Sequence, residues 1–228
     1  MSRYALQLAT FDIAGTTLVD DNLVDRVFMA VFEGHHMPVP EAELVLFRGS
    51  SKRLIFDTMV ARHGAPGLPA TDRLMAEFED ELGAQLRRTA QAVPGTADTF
   101  AWLRAQGVKV ALTTGFSRPT LLLVRELLGW TPDLVDAAIC SDDVPEARPA
   151  PWMIYAAMQA TGVPTAAAVM AVGDTPRDLQ AGTNAGCGAV VGVLTGTGTA
   201  ETLGRVRHTH LLPSVADIPD LIEREYRL

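Results

Sequence analysis

The chain has 228 residues, 48% of them hydrophobic and 20% charged, a composition that fits a globular fold of one large domain or a core with an insert. A formal net charge of −8 excludes a basic footprint for nucleic acid or an anionic membrane surface, though not a small anionic substrate held through a divalent cation. Two cysteines without ligand spacing, no signal-peptide pattern and no apolar run near the length of a membrane helix lead us to expect a cytoplasmic protein with no membrane partner.

An apolar run from Tyr4 to Phe11 reads as the first strand and ends in Asp12-Ile13-Ala14-Gly15-Thr16-Thr17. That places a carboxylate at the carboxyl edge of a sheet, beside a Gly-Thr-Thr turn whose amides are expected to form an anion nest. Leu23 to Phe32 follows with Val24, Val27, Phe28, Val31 and Phe32 at helical spacing. Ser51 reads as the cap of a helix over Lys52 to His63, and Thr71 or Asp72 as the cap of a longer one reaching Thr89. Between Asn22 and Ala90 the pattern is helical throughout, so residues 20–92 are expected to form an inserted helical domain, with 1–19 and 93–228 forming the core.

From Val93 onward helices and strands alternate. Helices are expected over 98–106, 117–128, 149–161 and 178–185, with Pro149 starting the third, and a last one from about Ser214. Strands are expected over 108–113, 134–140, 169–172, 189–193 and 210–212. This order predicts an α/β fold, a Rossmann-like parallel sheet whose central strand is the one cut off by the insert. Gly196-Thr197-Gly198 reads as a plain loop, Trp152 as a neighbour of the site, and the histidines as lacking the partners of a transition-metal centre.

Strand ends carry the chemistry. Asp12 ends the first strand, Thr114-Gly115 follows the second, Gly173-Asp174-Thr175-Pro176-Arg177-Asp178 follows the fourth, and Arg148 precedes a helix. In a parallel sheet these ends share one crevice. Clustered carboxylates need a cation, and oxygen ligands suit Mg²⁺; with hydroxyl, amide and guanidinium donors they form a site for phosphoryl transfer.

These four stretches resemble the haloacid dehalogenase superfamily. The resemblance implies that Asp12 is the nucleophile and that Asp12, the Ala14 carbonyl and Asp174 hold Mg²⁺. Gly15, Thr16, Thr114, Gly115 and Arg148 would meet phosphoryl oxygens, and Asp178 would pair with Arg148 or a metal-bound water. The insert would be a mobile helical cap.

Phosphatases of that superfamily carry a second aspartate as general acid two positions after the nucleophile, where this chain has Ala14. Ala14-Gly15-Thr16-Thr17, Thr113-Thr114-Gly115-Phe116, Asp142-Asp143-Val144-Pro145 and Arg148-Pro149-Ala150-Pro151-Trp152-Met153 are similar to the phosphonatase branch, which cleaves phosphonoacetaldehyde. That likeness makes Lys52 the Schiff-base candidate, its amine kept neutral by burial or by a neighbouring cation such as Arg48. Arg48 and Ile55 stand where that branch has a methionine and a histidine, Asn22 lies near where it has a cysteine, and Arg48 with Lys52 also suits a second anionic group on a phosphate ester. The substrate is thus expected to be a small phosphonate or phosphorylated metabolite. A phosphomonoesterase, a non-catalytic phosphate binder and a metal-free dehalogenase are the alternatives, and the chain is a monomer or a homodimer.

Overall fold

A computed structural model describes residues 5–226; Tyr4, where the opening apolar run begins, lies outside them. Its centre is a six-stranded sheet in the order β3-β2-β1-β4-β5-β6, every pairing parallel. The strands are β1 (Leu8–Phe11), β2 (Lys109–Thr114), β3 (Ala137–Cys140), β4 (Val169–Gly173), β5 (Ala189–Val193) and β6 (His210–Leu212). The chain leaves β1 to build β2 and β3 on one side and then crosses to β4 on the other. The carboxyl ends of β1, β2 and β4 thus flank the point where strand order reverses, the place an open α/β sheet offers a ligand.

Between β1 and β2 come α1 (Leu23–Gly34), α2 (Glu41–Val45), α3 (Lys52–His63) and α4 (Thr71–Thr89). The stripe of α1 predicted from periodicity is buried in full. Phe28 and Phe32 stack on each other and meet Phe56 of α3 at an angle, and Phe78 of α4 closes the cluster with its ring centre 4.3 Å from that of Phe28. This insert packs around its own aromatic core, and α1 spends its apolar face there. The remaining helices, α5 (Thr96–Ala105), α6 (Arg118–Leu127), α7 (Trp152–Thr161), α8 (Pro176–Ala185), α9 (Ala200–Gly204) and α10 (Ile218–Glu225), accompany the sheet.

Several boundaries differ from expectation for local reasons. β3 begins at Ala137 rather than Leu134, because Leu134 and Val135 donate their amides to the Thr131 carbonyl in a turn. Helix α5 starts at Thr96, directly after Gly95 turns the chain with φ 82°. Helix α4 has Ala70 at its cap position with no side-chain bond; Thr71 is already helical and Asp72 is paired with Arg53 at 2.6 Å. Helix α7 starts at Trp152, not Pro149, since Pro151 disfavours helical geometry at Ala150 before it. Helix α8 begins two residues early: Thr175 caps it and Asp178 closes the capping box by accepting from the Thr175 amide at 2.9 Å.

No helix among the described residues is long and apolar enough to cross a membrane. The aromatic cluster sets the position of α3 and hence of everything at its start. Phe78→Ala, which empties the middle of that cluster, is expected to cost about 3–5 kcal/mol; guanidinium unfolding of the variant beside the wild type checks this.

Candidate active site

The sheet ends deliver three carboxylates to one point. Asp12 follows β1, and Asp174 and Asp178 follow β4. One oxygen from each falls within 4.8 Å of the others, and all three residues are buried. Between them lies the buried guanidinium of Arg148. Its Nη1 contacts Asp178 Oδ1 and stands 2.9 Å from Asp12 Oδ1. The approach to Asp12 is an ion pair without an aligned N–H, so Asp12 Oδ1 has charge compensation but no hydrogen bond. Asp178 is fully engaged, its Oδ2 accepting from the amide and the hydroxyl of Thr175.

Asp174 is fixed from two sides. The Thr16 hydroxyl donates to Oδ1 at 3.0 Å, and the Thr197 amide donates to Oδ2 at 2.8 Å, with the Thr197 hydroxyl at 3.3 Å. Thr16 thereby holds a carboxylate, whereas the sequence suggested a contact with substrate. The expected anion nest is absent from the Gly-Thr-Thr turn: the Gly15 amide donates to Leu18 O, and those of Thr16 and Thr17 to Ile13 O. The turn needs its own donors to close. Thr197 and its neighbour were missed by sequence reasoning. A Cβ on Gly196 would sit 2.0 Å from Asp174 Oδ2, so only glycine admits that carboxylate. The strand-end rule, applied also to β5, would have found this stretch.

Burial, and then the charge of Asp12, push the Asp174 carboxyl up to about 7, against the bonds from Thr197 and Thr16. Three buried carboxylates around one guanidinium leave an excess of negative charge, and Asp12 Oδ1 is an orphaned buried acceptor. This donor set, all oxygen, fits a hard divalent cation.

The insert supplies the opposite wall of a cavity of about 50 Å³. Asp12, Ala14, Thr114, Gly115, Arg148, Asp174 and Thr197 line one side, and Asp20, Asp25, Phe28, Arg48, Ser50, Lys52 and Ile55 the other. The sequence 48–52 presses onto the sheet end: a Cβ on Gly49, which has φ 82°, would meet Thr175 Oγ1 at 2.5 Å. Ser51 caps α3, its hydroxyl accepting from the Leu54 amide at 3.3 Å, which turns Lys52 inward.

Lys52 is a buried lysine, not a solvated one, being only 8% exposed. Its Nζ lies 5.1 Å from the centre of the Phe116 ring and 5.9 Å from that of Phe28. Burial lowers its pKa below the ordinary lysine value; Asp12 and Asp20 oppose this, and Arg148 adds to it. The cation acting on Lys52 is thus Arg148. Arg48, suggested for that part by sequence, lines the cavity but is committed to Asp25, with Nη2 at 2.6 Å and Nε at 2.8 Å from Oδ2, and to Asn22 Oδ1. Thr114 is buried and accepts from the Phe116 amide at 3.1 Å.

Trp152 does not border the cavity; it is half-exposed and packs edge-on to Tyr155. His35 and His210, expected to stand without carboxylates, pair with Glu77 and Glu225, and His63 pairs with Glu43.

Comparison with known proteins agrees with this arrangement. Residues 6–186 match the family model described as haloacid dehalogenase-like hydrolase. Phosphonoacetaldehyde hydrolase of Parabacteroides distasonis is 37% identical over 129 residues, 55% of this chain and 47% of that protein. The Bacillus cereus protein of the same name is 39% identical over 124 residues, 53% and 46% of the two. These matches span about half the length of the curated relatives. A phosphonoacetaldehyde hydrolase-like protein from Oleispira antarctica shares the fold, with a TM-score of 0.82 at 23% identity over 98% of this chain and 94% of that one.

A raised Asp174 pKa means the folded protein holds a proton that the unfolded chain releases near the ordinary carboxylate value. Without a cation, stability therefore falls as pH rises toward 7. Below that pH an entering cation must displace the proton. The rise in unfolding temperature on adding Mg²⁺ is expected to be larger at pH 8 than at pH 6, and Asp174→Asn to abolish the difference; thermal scans at both pH values measure it.

Proposed function

The chain belongs to the haloacid dehalogenase-like hydrolase family, and on that premise we propose that it is a phosphonatase-type hydrolase acting on phosphonoacetaldehyde or a close analogue. The observation that carries this reading is the buried Lys52 amine facing the Asp12 carboxylate across one small cavity, with no carboxylate at Ala14.

Asp12 is the nucleophile. Arg148 offsets its charge without an aligned hydrogen bond, which leaves an oxygen lone pair free to attack phosphorus and form an aspartyl-phosphate. Asp178 and the Thr175 cap hold Arg148 in place, so the guanidinium serves both the nucleophile and the incoming phosphoryl oxygens. Thr114 and Gly115, at the end of β2, complete the phosphoryl side. Asp12, the Ala14 carbonyl and Asp174 would hold Mg²⁺, which when bound neutralises charge on the transferring group. Thr16 and Thr197 orient Asp174 for that purpose. The helical insert acts as a cap that excludes water and carries Lys52 to the substrate.

Cleaving a carbon–phosphorus bond requires somewhere for the bonding electron pair to go. An imine between Lys52 and the substrate aldehyde accepts it as an enamine. Attack on the carbonyl needs the neutral amine, and burial beside Phe116 and Phe28, together with the charge of Arg148, favours that form. The small cavity favours a compact metabolite. A second reading, hydrolysis of a small phosphate ester, draws support from Arg48, which gives the cap-side wall a cation besides Lys52.

Borohydride reduction in the presence of phosphonoacetaldehyde is expected to fix one adduct on Lys52, seen as a mass increase in its peptide and missing in Lys52→Ala. An unmodified wild-type chain that releases phosphate from small esters in the presence of Mg²⁺ would favour the second reading.

A further inference from the structure

Imine chemistry needs a proton donor and acceptor beside the lysine, and the usual places for one are empty. Ala14 has no ionisable group, and Ile55 is apolar. Four carboxylates line the cavity. Asp12 is held against Arg148, Asp174 is bound by Thr16 and Thr197, and Asp25 is paired with Arg48. Asp20 is the fourth. It stands just before α1 and is 8% exposed. Its Oδ1 accepts from the Val24 amide at 3.2 Å, which anchors the carboxyl at the start of that helix. No other hydrogen bond to its carboxyl is formed among the described residues. After Asp12, Asp20 is the carboxylate whose charge acts most on Lys52.

Resting on the phosphonatase reading, we propose that Asp20 is the acid–base partner of Lys52. When the neutral amine has added to the aldehyde, the carbinolamine must lose hydroxide. The Asp20 carboxyl gives its proton to that oxygen, the C–O bond breaks, water leaves, and the nitrogen lone pair closes the C=N bond of the iminium. The Asp20 carboxylate recovers a proton from the water that later adds to the imine carbon and releases the product aldehyde. Iminium formation releases one water and imine hydrolysis takes one up, so Asp20 ends as it began; the proton that replaces phosphorus on the enamine carbon is balanced by the one released when water hydrolyses the aspartyl-phosphate. Burial raises the Asp20 pKa above the ordinary carboxylate value, against the Val24 bond and the charges of Lys52 and Arg26 and with that of Asp25, so the acid form is available to donate.

The Asp20→Asn variant separates this role from a structural one, because the asparagine side-chain oxygen can still accept from the Val24 amide. The readouts are the rate of the borohydride-trapped Lys52 adduct with phosphonoacetaldehyde, the unfolding temperature, and phosphoryl transfer from acetyl phosphate, whose leaving group requires no imine. The expected result is an adduct formed roughly 10²-fold more slowly, at the wild-type unfolding temperature, with acetyl phosphate turnover slowed far less. An adduct formed at the wild-type rate, or an equal loss in both reactions, overturns the role of Asp20 alone. A wild-type chain that forms no adduct removes the imine reading itself.

Discussion

The site depends on one buried guanidinium. Arg148 sits where Asp12 and Asp178 converge, and without it two carboxylates would be buried against each other with no compensating charge. Breaking such a group by removing its cation is strongly destabilising, because each remaining charge keeps its desolvation cost. Yet one guanidinium does not balance three carboxylates. The surplus falls on Asp174, whose raised pKa records the strain of ionising there. A pocket that leaves negative charge unbalanced is prepared for a cation and for what that cation brings with it.

The insert brings two basic side chains to the opposite wall. Its aromatic core fixes α3, Ser51 caps that helix, and the first residue of the helix, Lys52, is thrust into the cavity above Asp12. The sheet side is rich in carboxylates, while the insert side carries Arg48 paired with Asp25, and Lys52 with Asp20. The close approach of Gly49 to Thr175 shows how tightly the two walls meet. Excluding water from such a gap strengthens every interaction across it and lowers the cost of keeping an amine neutral.

Much of this was legible in the sequence because the sheet is parallel. Strands that all run the same way send their ends to one edge, so Asp12, Thr114 and Asp174 could be grouped from the sequence, and the parallel sheet with β1 at its centre followed from the alternation of helices and strands. Lys52 was reached through resemblance rather than pattern, since its position at a helix start looks like that of any solvated lysine. What escaped were contacts made by backbone geometry. The Gly15 turn spends its amides on itself, and Thr197 grips Asp174 from a loop with no recognisable motif. Asp20 belongs to no motif of the sequence, and only the folded insert shows it lining the cavity with Lys52.

Phosphoryl transfer to Asp12 is the claim on which everything else rests. Rapid acid quench during turnover of ³²P-labelled substrate in the presence of Mg²⁺, followed by peptide mapping, tests it directly. The account predicts transient label on the peptide containing Asp12 and none in Asp12→Asn. Full turnover by Asp12→Asn, or label on any other residue, would contradict it.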